Sequence, residues 1–220
     1  MFKKEASPTM FDQLREDKKR RYPNQPQLNE NGNLDTEDED NHSLIFFGLW
    51  VTAVGTIFNA IAATTRTDLE DALRSNFSIY GNTLETAGNA LVAEGFGTYG
   101  PDKYGSYIIT IGSLTALYAD IGNLTDEEVI RTALSGALIE GLGTSYALFG
   151  VEPPEDPTAF EIYTIYSALL QLFGNGFEAF GGITELQGGN GEPLYEIGTI
   201  LQAIGAILTG LFYEGGNRFN

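Results

Sequence analysis

The sequence predicts an all-α protein of six consecutive antiparallel amphipathic helices, arranged as a bundle or a curved helical layer. Three observations carry this. First, an eight-residue pattern bounded by small residues occurs six times: GLWVTAVG from Gly48, GNTLETAG from Gly81, GSYIITIG from Gly105, GALIEGLG from Gly136, SALLQLFG from Ser167 and GTILQAIG from Gly198. Its second glycines are Gly55, Gly88, Gly112, Gly143, Gly174 and Gly205, spaced by 33, 24, 31, 31 and 31 residues, the mark of an internal repeat. Second, eleven of the twelve slots are glycine, although each helical glycine costs roughly 0.8–1.0 kcal/mol relative to alanine. A total of about 10 kcal/mol rivals the net stability of a whole domain, so the register is not accidental. A missing side chain lets backbones approach closely, and a spacing of seven keeps the stripe on one face of a slightly supercoiled helix. Third, each unit is amphipathic. Counting the first small residue as zero, offsets three and six are apolar in most units (Val51 and Val54, Ile108 and Ile111, Ile139 and Leu142, Leu170 and Phe173, Leu201 and Ile204). Offset four is mostly polar (Thr52, Glu85, Glu140, Gln171, Gln202), and offset eight is polar or small. The expectation is a wide apolar inner face containing the glycines, with a narrow, solvated polar edge.

The elements follow in order. Residues 1–42 are a charged tail, with sparse apolar residues and no period, expected to be mostly disordered beyond a short helix over 9–19. Lys18-Lys19-Arg20-Arg21 is read as a solvated charge run, with a lipid-surface or partner contact as the alternative, and the tail ends in acid. The helical-repeat domain is 43–220. Its first helix is expected over 43–64, capped by Asn41 or Ser43; 43–65 carries no charge and is long enough to span a bilayer. A capping box, Thr67-Asp68-Leu69-Glu70, starts the second helix, which runs to about residue 93. Gly100-Pro101-Asp102 ends a glycine-rich loop ahead of a third helix over 103–120. Thr125-Asp126-Glu127-Glu128 is a second capping box and opens the fourth helix, to residue 149, after which Pro153-Pro154 prevents continuation. The fifth helix is expected over 157–180 and the sixth over 193–213. Short connections make consecutive helices antiparallel.

The chain has 220 residues, no cysteine and a net charge of −18. Disulfide frameworks and thiolate metal sites are excluded. Twenty acids against five basic residues from Ser43 onward repel phosphate backbones, which argues against nucleic acid as a partner. The polar N-terminal stretch lacks a signal-peptide apolar region.

Chemistry-bearing motifs are few. The single histidine, His42, falls in the tail and is expected to be solvent-exposed, which excludes a histidine triad or cluster in the domain. Glycine-rich segments lack the lysine or strand context of a nucleotide site. Glu85 and Glu140 occupy one slot on two helices; a carboxylate pair inside a bundle can bind metal or transfer protons, but the shared slot reads as the solvated edge. The aromatics Tyr104, Tyr107, Tyr118, Tyr146, Phe149, Tyr163, Tyr166, Phe173, Phe177 and Phe180 are expected to fill the core. No catalytic, metal or cofactor residue is assigned. The functional residues are instead the helix-packing glycines: Gly48, Gly55, Gly81, Gly88, Gly105, Gly112, Gly136, Gly143, Gly174, Gly198 and Gly205. Gly143→Leu is expected to destabilise and Gly143→Ala to be near neutral or mildly destabilising, with the loop residue Gly189 as an open comparison.

GLWVTAVGTIFNAIA and GTILQAIGAILTG resemble the repeated motif of an uncharacterised "repetitive protein" family of Bacillus-type bacteria. The resemblance covers about 46–212, more weakly in the middle units. It implies a bacterial origin and transfers no site.

Two functions compete at this level. The first is a non-enzymatic, cytoplasmic helical-repeat protein that acts by self-association, as a homo-oligomer, or by binding a protein partner, with no cofactor. The alternative is a membrane-inserted or membrane-associated helical oligomer, a pore or an immunity-type protein. Glu85 and Glu140 count against the membrane, because a mid-helix acid costs about 2.5–3.5 kcal/mol on an insertion scale. A carboxylate-pair enzyme is the third and weakest reading.

Overall fold

The computed structural model describes residues 27–28, 34–35, 40–64, 70–97, 99–150 and 159–213. The chain divides into two units, Met1–Asp38 and Glu39–Asn220. In the first, β1 (Gln27–Leu28) pairs antiparallel with β2 (Leu34–Asp35), placing Gln27 opposite Asp35. Sequence periodicity did not anticipate this short ladder. The expected helix over 9–19 and the Lys18–Arg21 cluster lie outside the described residues.

The second unit is six helices: α1 His42–Ala63, α2 Asp71–Gly95, α3 Pro101–Ile121, α4 Asp126–Phe149, α5 Ala159–Leu186 and α6 Glu192–Leu211. Local signals account for most boundaries. Asn41 caps α1 by accepting the Leu44 N–H at 3.1 Å. Pro101 occupies the first turn of α3, where its missing N–H is no loss. At α4 the expected capping box forms: Glu128 accepts the Thr125 N–H at 2.9 Å, and Thr125 Oγ1 accepts the Glu128 N–H at 3.4 Å. The other expected box lies mostly outside the described residues; α2 starts at Asp71, with Glu70 as an N-cap that makes no side-chain cap bond. Helix α5 runs past its expected end, through Gly181 and Gly182, because their missing side chains are used for packing against α6 and α4.

The helices pack as three hairpins, α1–α2, α3–α4 and α5–α6, with further contacts α2–α3 and α4–α5, and α6 closes the ring onto α1. Each hairpin is joined through its glycines. A Cβ at Gly88 would lie 2.7 Å from the Gly48 carbonyl oxygen, and one at Gly48 would lie 2.7 Å from that of Gly88. The same reciprocal approach joins Gly105 with Gly143, at 2.9 and 2.8 Å, and Gly174 with Gly198, at 2.7 and 2.8 Å. Gly112 with Gly136 and Gly55 with Gly81 complete the stripes, and Gly205 lies on the Ser167 carbonyl. All eleven glycines are buried. Between hairpins the contacts are side-chain contacts. Asp120 on α3 accepts from Ser78 Oγ at 3.0 Å and Asn82 Nδ2 at 2.7 Å on α2, and Gly210 on α6 admits the Trp50 ring of α1.

The distribution of polarity reverses the expected one. Among the described residues, buried apolar side chains number ten, eight of them alanine, against twelve buried polar or charged ones. Twenty-seven large apolar side chains are exposed. The offset-six residues Val54, Ile111, Leu142, Phe173 and Ile204 are 44–61% exposed, whereas the offset-four residues Thr52, Glu85, Glu140 and Gln202 are 5–6% exposed. Of the aromatics expected in the core, Tyr104, Tyr118, Tyr146, Phe149, Tyr163, Tyr166, Phe173, Phe177 and Phe180 are exposed, and Tyr107 is half-buried. Helix geometry gives the reason. At 3.6 residues per turn, offsets four, eight and eleven lie about 40°, 80° and 20° from the glycine, and offset six lies about 120° away on the other side. Close contact at the glycines therefore turns the polar stripe inward and the apolar stripe outward.

Three outcomes follow for stability, read as the thermal midpoint of the full chain. Gly143→Ala is destabilising: its Cβ would meet Ile109 Cγ1 at 2.7 Å and the Gly105 oxygen at 2.8 Å, so overpacking of about 1–3 kcal/mol outweighs a propensity gain of about 0.8–1.0 kcal/mol. Gly176→Ala, where nothing lies within 4 Å, gains that propensity. The loop residue Gly189 is not the open position expected, because its Cβ would meet Thr184 Cγ2 at 2.8 Å. Thr125→Ala lowers stability by about 1 kcal/mol through loss of the α4 cap; an unchanged midpoint would remove the cap from the account.

Candidate functional site

Inside the ring lies a polar cavity of about 670 Å³, with lining residues from all six helices. It reaches the end where α1, α3 and α5 finish and α2, α4 and α6 begin; exposed Asp71 and Glu192, in the first turns of α2 and α6, form part of its rim. Two repeat positions supply its wall. Offset eleven of the first helix in each hairpin gives Asn59, Ala116 and Glu178; offset four of the second gives Glu85, Glu140 and Gln202. Each hairpin thus presents one residue from each of its helices to a common centre.

Hydrogen bonds tie part of this wall together. Asn59 Nδ2 donates to Asn82 Oδ1 at 2.9 Å and to Glu85 Oε2 at 3.0 Å, linking α1 to α2. Its Oδ1 is buried against Gly81 without a partner. Gln202 Nε2 donates to Asn175 Oδ1 at 2.8 Å. Near the rim Arg74 donates from Nη1 to the carbonyls of Ala62 at 2.7 Å and Thr64 at 2.9 Å, satisfying orphan acceptors at the end of α1. Six carboxyl groups line the cavity (Asp71, Glu85, Asp120, Glu140, Glu178, Glu192) against the one guanidinium of Arg74.

Glu85 and Glu140 are therefore not on a solvated edge. Both are buried, in the wall of one cavity, and Glu178 joins them from a different repeat position. Glu178 lies at offset eleven, outside the offsets that carry the amphipathic pattern. Asn59 at the same offset in the first unit was the available signal.

The opposite half of the ring is different in character. The equivalent positions there are Thr52, Val92, Ile109, Ala147, Gln171 and Thr209. They are mainly hydroxyl-bearing or apolar. Gln171 Nε2 donates to Thr209 Oγ1 at 3.1 Å, and Thr209 donates to Ser167 Oγ at 2.9 Å. At the far end Lys103 is buried, with Nζ donating to the Phe96 carbonyl at 2.6 Å and lying over the Tyr99 ring at 4.8 Å. His42, expected to be solvent-exposed in the tail, instead opens α1 and pairs through Nδ1 with the Tyr213 hydroxyl at 2.9 Å, joining the start of α1 to the end of α6. Burial, then the carboxylates of Asp40 and Asp102, push the Tyr213 phenol up to about 12.

Among the described residues no group of three or more acidic or histidine side chains forms a set that could hold a metal ion. The carboxylates come from α2, α3, α4, α5 and α6 and form no such set. What the arrangement offers is a one-sided acidic chamber with amide and hydroxyl groups between its charges.

No curated protein matches the chain, and no solved structure does. Residues 43–210 match a family of unknown function (DUF6944), a span that takes in all six helices apart from the first residue of α1 and the last of α6. The chain belongs to that family of unknown function.

Proposed function

We propose that the six-helix unit is an integral-membrane, non-enzymatic barrel that binds a small solute in its polar cavity. The observation that carries this reading is the inverted distribution of side chains. A soluble monomer's largest exposed apolar patch is typically about 300–600 Å². In lipid the requirement is opposite: apolar side chains face outward, helices meet through small residues, and ionisable groups turn to the bundle interior. The glycine stripes, the alanine-rich core and the exposed belt fit that pattern together.

Length and charge support the same reading. The helices have 20–28 residues, and about 20 are needed to cross a hydrocarbon core. Within residues 43–63, 75–93, 104–119, 132–149, 162–184 and 197–211 the charged residues are Glu85, Glu140 and Glu178, each lining the cavity. The objection raised by mid-helix acids thus loses its force. Helices α1 and α6 are long and apolar enough to cross a membrane, with mean hydropathy 1.9 and 1.4, and only 33% of each is buried. Inward-facing glutamate, serine and threonine lower the average of the other four. Five of the seven exposed tyrosines among the described residues lie near helix ends, Tyr99, Tyr104, Tyr146 and Tyr163 at one end and Tyr118 at the other, while Tyr80 and Tyr166 lie further in; membrane interfaces enrich this side chain.

A second reading keeps the chain cytoplasmic and covers the apolar belt with further copies of itself or a protein partner. The net charge of −18 and the modest hydropathy of the middle helices favour it. Alkaline carbonate extraction of native cells separates the two, together with light scattering with and without detergent. The membrane reading expects the chain in the pellet and monodisperse protein only in detergent; release to the supernatant and monodispersity in plain buffer overturn it.

Topology gives a further expected outcome. The start of α1 and the end of α6 lie at one end, joined by His42 and Tyr213. The chain has no cysteine, so single cysteines report cleanly. Ser43→Cys and Gln187→Cys, both exposed and at opposite ends of the barrel, should react with an impermeant maleimide from opposite sides of the membrane. Labelling of both from one side would exclude a spanning barrel.

A further inference from the structure

We propose that the cavity binds an organic cation carrying several amine groups along an alkyl chain, a di- or polyamine. This deepens the reading above by naming what the barrel's cavity takes. The cavity of about 670 Å³ falls within the range of about 300–1,000 Å³ usual for small-molecule sites. Six carboxyl groups against one guanidinium set the sign of the ligand. That guanidinium is engaged by the Ala62 and Thr64 carbonyls.

Glu140 points most directly to a ligand. It is only 6% exposed and lines the cavity. Among the described residues the donor beside it is the Ser113 hydroxyl, whose single proton is also claimed by the Ile109 carbonyl at 3.1 Å. Glu85, in contrast, receives an amide N–H from Asn59. A buried carboxylate facing a cavity, with one shared hydroxyl beside it, has acceptor capacity left over, and burial makes that costly. Spacing decides the kind of cation. Glu85, Glu140 and Glu178 come from α2, α4 and α5 and do not form a metal-ion set. A compact ion could reach few of them. A flexible chain with amines at intervals can reach carboxylates on different walls, and its methylenes can lie on Ala116, Ala133 and Ala137, which also line the cavity.

The test is equilibrium binding of radiolabelled spermidine to the full chain, in whichever preparation, detergent or buffer, is monodisperse. One spermidine per chain is expected, weakened at least tenfold by Glu140→Gln or by Glu178→Gln. Glu127→Gln, on an exposed residue paired with Arg131 at 2.7 Å, should leave it within twofold. A second measurement uses the unaltered chain, so that a variant that fails to fold decides nothing: spermidine should protect Glu85, Glu140 and Glu178 from a hydrophobic carbodiimide, and calcium or magnesium at equal concentration should not. Absence of binding to folded chain, indifference to both cavity substitutions, or protection by the divalent ions instead of spermidine overturns the proposal. Carbonate extraction is scored separately. A chain that leaves the membrane yet binds spermidine keeps this proposal and loses the membrane reading; a chain that stays and fails to bind does the reverse.

Discussion

The contact on which the structure depends is a glycine α-carbon lying against the backbone of the neighbouring helix. A Cβ at most of the stripe glycines would come within 3.0 Å of a carbonyl oxygen or amide nitrogen on the facing helix. Nothing larger than hydrogen fits there without moving backbone. Such proximity repays the poor helix propensity of glycine through dispersion contacts along the whole of each hairpin. It also limits what can accompany it. Space beside a close-packed pair is narrow, so the buried neighbours are alanine, serine, threonine and the stems of polar side chains. Few large apolar side chains find room inside, Ile45 and Val92 among the described residues, and most of the others occupy the outer surface.

The cavity is a consequence of the same contact repeated three times. Gly81, Gly136 and Gly198 each pack beside the offset-eleven residue of the facing helix, Asn59, Ala116 and Glu178. Gly55 and Gly112 pack beside Glu85 and Glu140, and Gly174 beside Gln202. Every wall residue is thus anchored at its backbone by a glycine across the hairpin. The direction of each side chain follows from the packing of its helix, and three hairpins closed into a ring bring the six positions round one centre. Polar groups gathered in this way cost free energy unless they are paired or used. Here pairing is partial: Asn59 bridges to Glu85, Gln202 to Asn175, and Asn59 Oδ1, Thr52 Oγ1 and Asn89 Nδ2 are left unmatched. Incomplete satisfaction is what distinguishes this interior from a purely structural polar core.

Much of the fold was legible from local chemistry. Glycine register marked the six helices, the Thr125–Glu128 box marked the start of α4, and Pro101 marked that of α3. These signals act within a few residues, so neighbouring sequence is enough to set them. The glycines also named the hairpin contacts, because only close backbone approach accounts for their regular cost. Angular order was present too: Glu85, Glu140 and Gln202 lie on the glycine side of their helices and Leu142 and Ile204 on the far side.

What periodicity could not say is which face points inward. An amphipathic helix read alone takes its apolar face as the buried one, an assumption that holds when water surrounds the protein. Only the closed ring, with α6 returned onto α1, made the glycine and polar stripes the interior and left Phe173, Leu142 and Ile111 outside. Glu178 belonged to the site for the same reason: it stands far in sequence from Glu85, and the contact between hairpins that brings them to one cavity is not encoded in either segment. Local sequence decided where helices begin and which of their faces meet; the three-dimensional closure decided what the enclosed space contains, because that depends on all six faces at once.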